Sequence, residues 1–260
     1  MGKITIHCVR HAQGYHNLCE ANHRLPDPDL TELGVQQCTT LSEHFPYHSK
    51  ITDLVASPLR RTLYTCILSF PDEVARGLVV TALPELQETS DLPCDTGSAR
   101  EVLEKEFGSK VDFQRVQDGW NNKQGRWSPA AAAIEARARD ARLFLRDLGS
   151  SGDEDRDREI VVVTHGGYLH YFTEDWEGND KFTGTGWANT EWRSYQFVDQ
   201  EGKDANASLK ETPESRIRRV GHENPLSEAE QRNLRSSAEE GWKESGFQKP
   251  AHADTEEAKL

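Results

Sequence analysis

Apolar and polar residues alternate from Lys3 to Val9, which predicts a first strand that delivers Arg10 and His11 to its C-terminal end. Leu33, Cys38, Leu41 and Phe45 then recur near the helical period, with Thr31 placed to cap that helix. Residues 52–56 read as a short buried strand. Ser57-Pro58 reads as a cap followed by proline at the first helical position, giving a helix over 58–69. A third strand is expected over 78–82, and Ser98 with Glu101 has the form of a capping box over a helix to about Phe107. The stretch 109–127 fits no single pattern. Ser128-Pro129 repeats the cap-plus-proline arrangement, and Ile134, Ala138, Ala141, Leu145 and Leu148 step by four, three, four and three through a helix ending at Gly149. After a charged, loop-like run over 150–158, Ile160-Val161-Val162-Val163-Thr164 has the continuous apolar character of a buried parallel strand, and it runs into His165-Gly166-Gly167.

This order of strands and helices predicts an α/β fold in which a mostly parallel sheet lies between two helical layers. The 260 residues suit one main domain over 1–200. Residues 201–260 carry only scattered apolar side chains, such as Leu209, Leu234, Trp242 and Phe247, so they read as a polar, partly helical extension. Within it, Ser227 and Glu230 are placed to cap a helix reaching about Glu240.

Charge narrows the chemistry. Lys and Arg total 31 against 44 Asp and Glu, a formal charge of −13, which argues against nucleic acid and against acidic membranes as partners. No apolar run is long enough to span a bilayer, and the first residues read as a strand rather than a secretory signal. The myristoylation pattern fails at Ile6, where Ser or Thr is needed. Five cysteines without a CxxC pair suit reduced, structural thiols better than disulfides or a zinc site. Asn206-Ala207-Ser208 has the form of a sequon that stays unmodified without secretion.

Two strands end in His11 and His165, and chemistry in α/β sheets collects at that edge. Arg10 precedes the first imidazole, and Arg61 lies in the first turn of the helix after another strand. Two guanidiniums and two imidazoles around one point describe an oxyanion site, to which Ser57, Gly166 and Gly167 add a helix N-terminus and a close backbone approach. A phosphoryl group suits such a site.

At this point the pattern becomes specific. Arg10-His11-Ala12-Gln13 with Asn17, then Leu30-Thr31-Glu32-Leu33-Gly34, then residues 57–65 (Ser-Pro-Leu-Arg-Arg-Thr-Leu-Tyr-Thr), then Thr164-His165-Gly166-Gly167 together resemble the histidine phosphatase superfamily, in its phosphoglycerate-mutase-like branch. The resemblance covers about residues 1–200. It implies that His11 is a nucleophile that becomes phosphohistidine, and that Arg10, Arg61 and His165 hold the transferring phosphoryl. It implies a phosphate contact at Asn17. The family takes its general acid from the segment after the third strand, and its Leu-x-Glu pattern matches Leu86-Gln87-Glu88. Glu88 is therefore the expected acid, with Glu85 in reserve and Asp95 a weaker candidate. Neither metal nor organic cofactor is required.

The chain departs from the family at Ala12 and Gln13, where Gly and Glu are commonest. In place of the mutases' Asn-Arg-Phe-x-Gly-Trp segment it has Ala21-Asn22-His23-Arg24-Leu25-Pro26. The expected activity is thus metal-independent hydrolysis of a small phosphorylated metabolite. A mutase-type transfer to a second hydroxyl, or a non-catalytic phosphate-binding module, are the alternatives. His7, His16, His23, His44, His48 and His170 show no ligand spacing and read as structural or surface residues. The six tryptophans read as packing or substrate-wall residues. Pocket walls are expected from residues 18–28, 92–127 and 180–191. Cytosol is the default address, although Ala258-Lys259-Leu260 resembles a Ser-Lys-Leu peroxisomal signal.

Overall fold

The computed structural model describes residues 2–150, 156–179 and 185–249. The segment Ala258-Lys259-Leu260, residues 151–155 of the charged loop and residues 180–184 of the expected wall lie outside them. In chain order the elements are β1 (Ile4–Arg10), α1 (Glu32–His44), β2 (Asp53–Ala56), α2 (Arg60–Ser69), α3 (Pro71–Ala75), β3 (Val80–Ala82), α4 (Arg100–Phe107) and β4 (Val111–Asp112). They continue with α5 (Ala131–Ser150), β5 (Arg158–Thr164), α6 (Gly166–Thr173), β6 (Trp192–Phe197), β7 (Leu209–Glu211), α7 (Pro213–Val220) and α8 (Glu228–Glu244).

The strands form one sheet in the order β4-β3-β2-β5-β1-β6-β7. Pairing is parallel from β4 through β1 and antiparallel at β6 and β7. Side-chain alternation divides the core between the two faces. On one face Val161 and Val163 of β5 pack with Leu54, Leu41, Leu63 and Cys66 beneath α1 and α2. On the other, Ile160 and Val162 meet Ile134, Ala138, Ala141 and Leu145 of α5 and Tyr168 and Phe172 of α6. The expected three layers and mostly parallel sheet are what the protein has.

Composition suggests a break near residue 200, but no structural break falls there. β7 is the seventh strand of the same sheet, and Ala238 of α8 packs into the core beneath α5 and α6. The Ser227–Glu230 capping box forms as expected, and so does the Thr31 cap, whose hydroxyl accepts from Gly34 N. Other starts differ. α2 begins at Arg60, two residues after Pro58, because the Ser57 hydroxyl is engaged by His165 instead of capping the helix. α4 begins at Arg100 behind Ala99, since Ser98 bonds Asp27 through both its amide and its hydroxyl. α5 begins at Ala131, two residues after Pro129. The unassigned stretch 109–127 contains the two-residue edge strand β4 and a short helical turn at Gly125–Trp127.

Candidate active site

Sheet register brings the two histidines together. β1 and β5 are adjacent and parallel with Arg10 opposite Thr164, so the next residue of each strand is His11 and His165. The His11 amide continues the ladder to Thr164 O at 2.9 Å, and the two rings lie 5.2 Å apart. β2 flanks β5 on its other side with Ala56 opposite Val163, so Ser57 follows opposite Thr164 and its hydroxyl reaches the neighbouring His165.

Hydrogen-bond chemistry then fixes the tautomers. His11 Nδ1 lies 2.8 Å from the Ala12 carbonyl, which can only accept, so Nδ1 carries the proton. His11 Nε2 is left with a lone pair and accepts from Arg61 Nε at 3.3 Å. The same guanidinium donates through Nη2 to His165 Nδ1 at 3.0 Å, so His165 carries its proton on Nε2 and donates it to Ser57 Oγ at 2.9 Å. Both imidazoles are neutral in this arrangement. Burial, and next the charge of Arg61, hold each far below the ordinary histidine range.

Arg61 is fully buried and acts as the hub. Beyond the two imidazoles it donates to Cys94 O at 2.6 Å and to Asp95 Oδ1 at 2.8 Å. Asp95, considered from sequence as a weak acid candidate, is this guanidinium's counter-charge, and Ser90 holds its other oxygen at 2.5 Å. Arg10 donates to the Trp187 carbonyl, while its Nε is buried without a partner.

Glu88 stands across the cavity. Its loop is stapled by Arg137 of α5, which donates to the carbonyls of Glu85, Gln87 and Glu88 at 2.6–3.0 Å, and by Thr164 Oγ1, which donates to Leu86 O. Its carboxyl Oε1 accepts from Thr89 N and Tyr168 N, both at 2.9 Å, and Oε2 from Gly167 N at 3.3 Å. The amides at the start of α6 therefore bind Glu88, not an incoming anion. Burial, then the charge of Asp95, pushes the Glu88 carboxyl above its ordinary value in spite of those bonds. Glu85 faces outward and pairs with Arg126 at 3.0 Å.

A cavity of about 260 Å³ joins these groups, lined by Arg10, His11, Asn17, Glu88 and Gly167 together with His16, His23, Leu92, Asp95, Thr185, Trp242 and Phe247. Asn17 reaches it with Oδ1 tied to the Gly14 amide, which leaves the amide NH₂ to donate. Gly166 sits just outside the lining. A Cβ there would run into the Thr185 hydroxyl and crowd Arg10 Nε, so its role is to let those two groups close on the site.

Several site residues escape the sequence reading. His16, expected to be structural or on the surface, is buried against His11 with ring centres 5.3 Å apart, and its Nδ1 has no partner. Burial pushes its pKa down to about 2. Lys123, from the unassigned stretch, is also buried with its Nζ unpartnered, and burial lowers it to about 7. A larger, more open groove of about 570 Å³ along α5 and α8 contains none of the motif residues.

Comparison with known proteins agrees with this geometry. The family model of the histidine phosphatase superfamily (branch 1) matches residues 6–208. The chain belongs to that superfamily. Phosphoglycerate mutase-like protein 1 of Arabidopsis thaliana is a similar protein, 27% identical over 252 aligned positions, with 80% of this chain and 86% of that protein covered. A second Arabidopsis thaliana protein, named phosphoglycerate mutase-like protein, is 30% identical over 203 residues, 64% of this chain and 72% of its own length. Among solved structures, the ecdysone phosphate phosphatase of Bombix mori superposes with a TM-score of 0.54 at 14% identity, over 75% of this chain and 89% of that one. Mycobacterial hydrolase 2 superposes at 0.51 with 18% identity, over 92% and 99%. At these identities the two structures establish a shared histidine phosphatase fold.

Proposed function

We propose that the protein is a phosphomonoesterase that works through a phosphorylated His11 without a metal. The observation that carries this reading is the His11 tautomer: Nδ1 is held by the Ala12 carbonyl, so Nε2 keeps its lone pair, held at 3.3 Å by Arg61 Nε, in a cavity that Arg10, Asn17 and Glu88 also line.

In the first half-reaction Arg61 Nε turns from His11 Nε2 to a phosphoryl oxygen, the freed Nε2 lone pair attacks phosphorus and the ester P–O bond breaks. The departing alkoxide takes the Glu88 proton, which suits Oε2, the carboxyl oxygen with the single long contact. Arg10, Asn17 and the remaining Arg61 donor meet the equatorial oxygens as charge spreads over them. In the second half-reaction Glu88, now a carboxylate, takes a proton from water. The water oxygen attacks phosphorus, the P–N bond breaks and the lone pair returns to Nε2. Throughout, Ala12 O holds the Nδ1 proton and steadies the cationic phosphoimidazole.

Phosphoenzyme trapping tests the reading. Wild type incubated with a labelled aryl phosphate is expected to form an acid-labile, base-stable adduct, and His11→Ala none, with turnover lost. A variant retaining a tenth of wild-type activity would overturn it. Product analysis in the presence of a second alcohol separates transfer to water from mutase-type transfer.

A further inference from the structure

The cavity lining is chemically divided. Among its described lining residues Arg10 is the one Arg or Lys, next to His11 in the chain. Its apolar and aromatic share comes from His23, Leu92, Trp242 and Phe247, all half-buried. His23 meets the Phe247 ring edge-on at 5.8 Å. Trp242 belongs to α8 and Phe247 to the turn behind it, and both lie beyond the family match that ends at 208.

These aromatics are anchored. Trp242 packs on Trp176 at 5.9 Å and on His170 at 6.2 Å, and its carbonyl accepts from the amides of Phe247 and Gln248. Gln248 receives the Tyr171 hydroxyl at 3.0 Å. Further along α8, Gln231 accepts from Trp176 N at 2.7 Å and donates to Asp175 at 2.9 Å. A wall fixed at so many points loses little freedom when a ligand stacks on it.

We propose that Trp242 and Phe247, with His23 and Leu92, recognise the organic part of the substrate and select phosphomonoesters whose alcohol carries a small planar or apolar group. This rests on the phosphatase reading above for the position of the phosphoryl. At about 260 Å³ the cavity lies near the lower end of small-molecule sites, which begin at roughly 300 Å³, so one ring beside the phosphoryl is the size that fits. A second anionic group laid against the Trp242 and Phe247 rings would lose its hydration without gaining an ion pair from them. An apolar or aromatic group would instead displace water from aromatic faces.

The test separates binding from turnover. Kd values for non-hydrolysable 2-phenylethylphosphonate and for methylphosphonate are measured by calorimetry on wild type, Trp242→Ala, Phe247→Ala and Trp242→Phe, with thermal unfolding as the check on folding. Turnover of 2-phenylethyl phosphate is measured in parallel. Wild type is expected to bind the phenylethyl compound at least about tenfold tighter. Each Ala variant should remove most of that gap while methylphosphonate binding stays within about twofold, and Trp242→Phe should keep most of it. Equal affinity for the two ligands in wild type would overturn the proposal, as would equal weakening of both ligands in the folded variants. If Trp242→Ala fails to fold, Phe247→Ala and Trp242→Phe still decide. Tight, wall-dependent binding without any turnover would refute the phosphatase reading and leave the wall standing.

Discussion

Replacing Glu88 by Gln removes a proton and little else. Gln keeps the side-chain length, and its amide oxygen can still accept from Thr89 N and Tyr168 N, the two 2.9 Å contacts that hold Oε1. The contact given up is the 3.3 Å bond from Gly167 N, where the new NH₂ would face another donor, at a cost of about 1 kcal/mol. The variant is expected to fold. Activity is another matter, because a positioned general acid is worth about 10²–10⁴ in rate, or roughly 3–5 kcal/mol of barrier. In the phosphorylation half-reaction that contribution exists only for an alkoxide that cannot leave unprotonated, whereas loss of the base for water slows hydrolysis of the shared phosphoenzyme for every substrate. The kcat/KM for glycerol 1-phosphate should therefore fall at least about 100-fold and that for p-nitrophenyl phosphate by less than about fivefold, while kcat falls on both.

The pH profile adds an independent check. Burial and Asp95 raise the Glu88 carboxyl, so it stays protonated above the ordinary carboxylate range. In wild type the alkyl-to-aryl ratio of kcat/KM should fall as pH rises through that raised value, a fall that Glu88→Gln should lack. The esters' own second ionisations act alike on both proteins, so they cancel in the comparison of wild type with variant. Stability moves with the same sign. A carboxyl that holds its proton more tightly when folded contributes fully below its unfolded value, and that contribution is lost as pH rises through the folded value. Equal losses of kcat/KM on the two esters, or an unchanged pH dependence of the kcat/KM ratio, would refute the assignment. Glu85→Gln, which breaks only a pair with Arg126, should behave as wild type.

Three further outcomes follow from the buried charges. Asp95→Asn leaves Arg61 without its counter-charge, so it should lower the unfolding free energy by about 3 kcal/mol in urea titrations and reduce kcat, because Arg61 orients both imidazoles. His16, held at about 2 when folded, stays neutral while the unfolded chain protonates below about 6.5, which removes about 1.4 kcal/mol of stability per pH unit as pH falls. In His16→Asn the stability loss between pH 6.5 and 4.5 should be shallower by that slope, and an unchanged slope would contradict the burial argument. Lys123, lowered from 10.5 to about 7, binds its proton better when unfolded, so wild-type stability should rise with pH between those values. Lys123→Met should abolish the rise and raise the melting temperature at pH 7.

Legibility of the fold and site in the sequence tracked the range of the interaction. β1 and β5 announce themselves by local pattern, and once both are parallel strands the meeting of His11 and His165 follows from register alone. Arg61 was legible for a similar reason, since it lies in the first turn of the helix after a strand, whereas Glu88 was legible only through the Leu-x-Glu pattern of the family that the motifs resemble. Asp95 was not, because its pairing with Arg61 spans 34 residues and no local pattern marks it. Ser57 and Ser98 look like caps to any local reading; His165 and Asp27, distant in sequence, engage them instead. His16 sits on a single helical turn at Tyr15–Asn17, too short for a buried face to show as periodicity. Trp242 and Phe247 fall in a stretch whose composition suggested an appendage, and only its docking onto α6 turns them toward the cavity.

The electrostatics of the site also explain how a chain with a formal charge of −13 can draw in a phosphate. Long-range repulsion between the acidic surface and a dianion is screened within about 8–10 Å at physiological salt, so the local field decides the last step. There Arg10 lacks a partner for Nε, Arg61 bridges two neutral imidazoles, and Lys123 lacks an anion of its own. Burial, and next the charge of Arg61, keep His11 unprotonated, the form the proposed mechanism needs. On the proposed mechanism a bound phosphoryl dianion would offset the charge of Arg61 and raise the proton affinity of His165, whose Nδ1, taking a proton from solvent, would change from an acceptor for Arg61 into a donor to the phosphoryl. His11 would be spared the same protonation because its Nε2 lone pair is the one that attacks and its other nitrogen already carries a proton held by Ala12 O. The two identical side chains would then divide the roles of nucleophile and donor according to which ring nitrogen each backbone or side-chain partner has claimed.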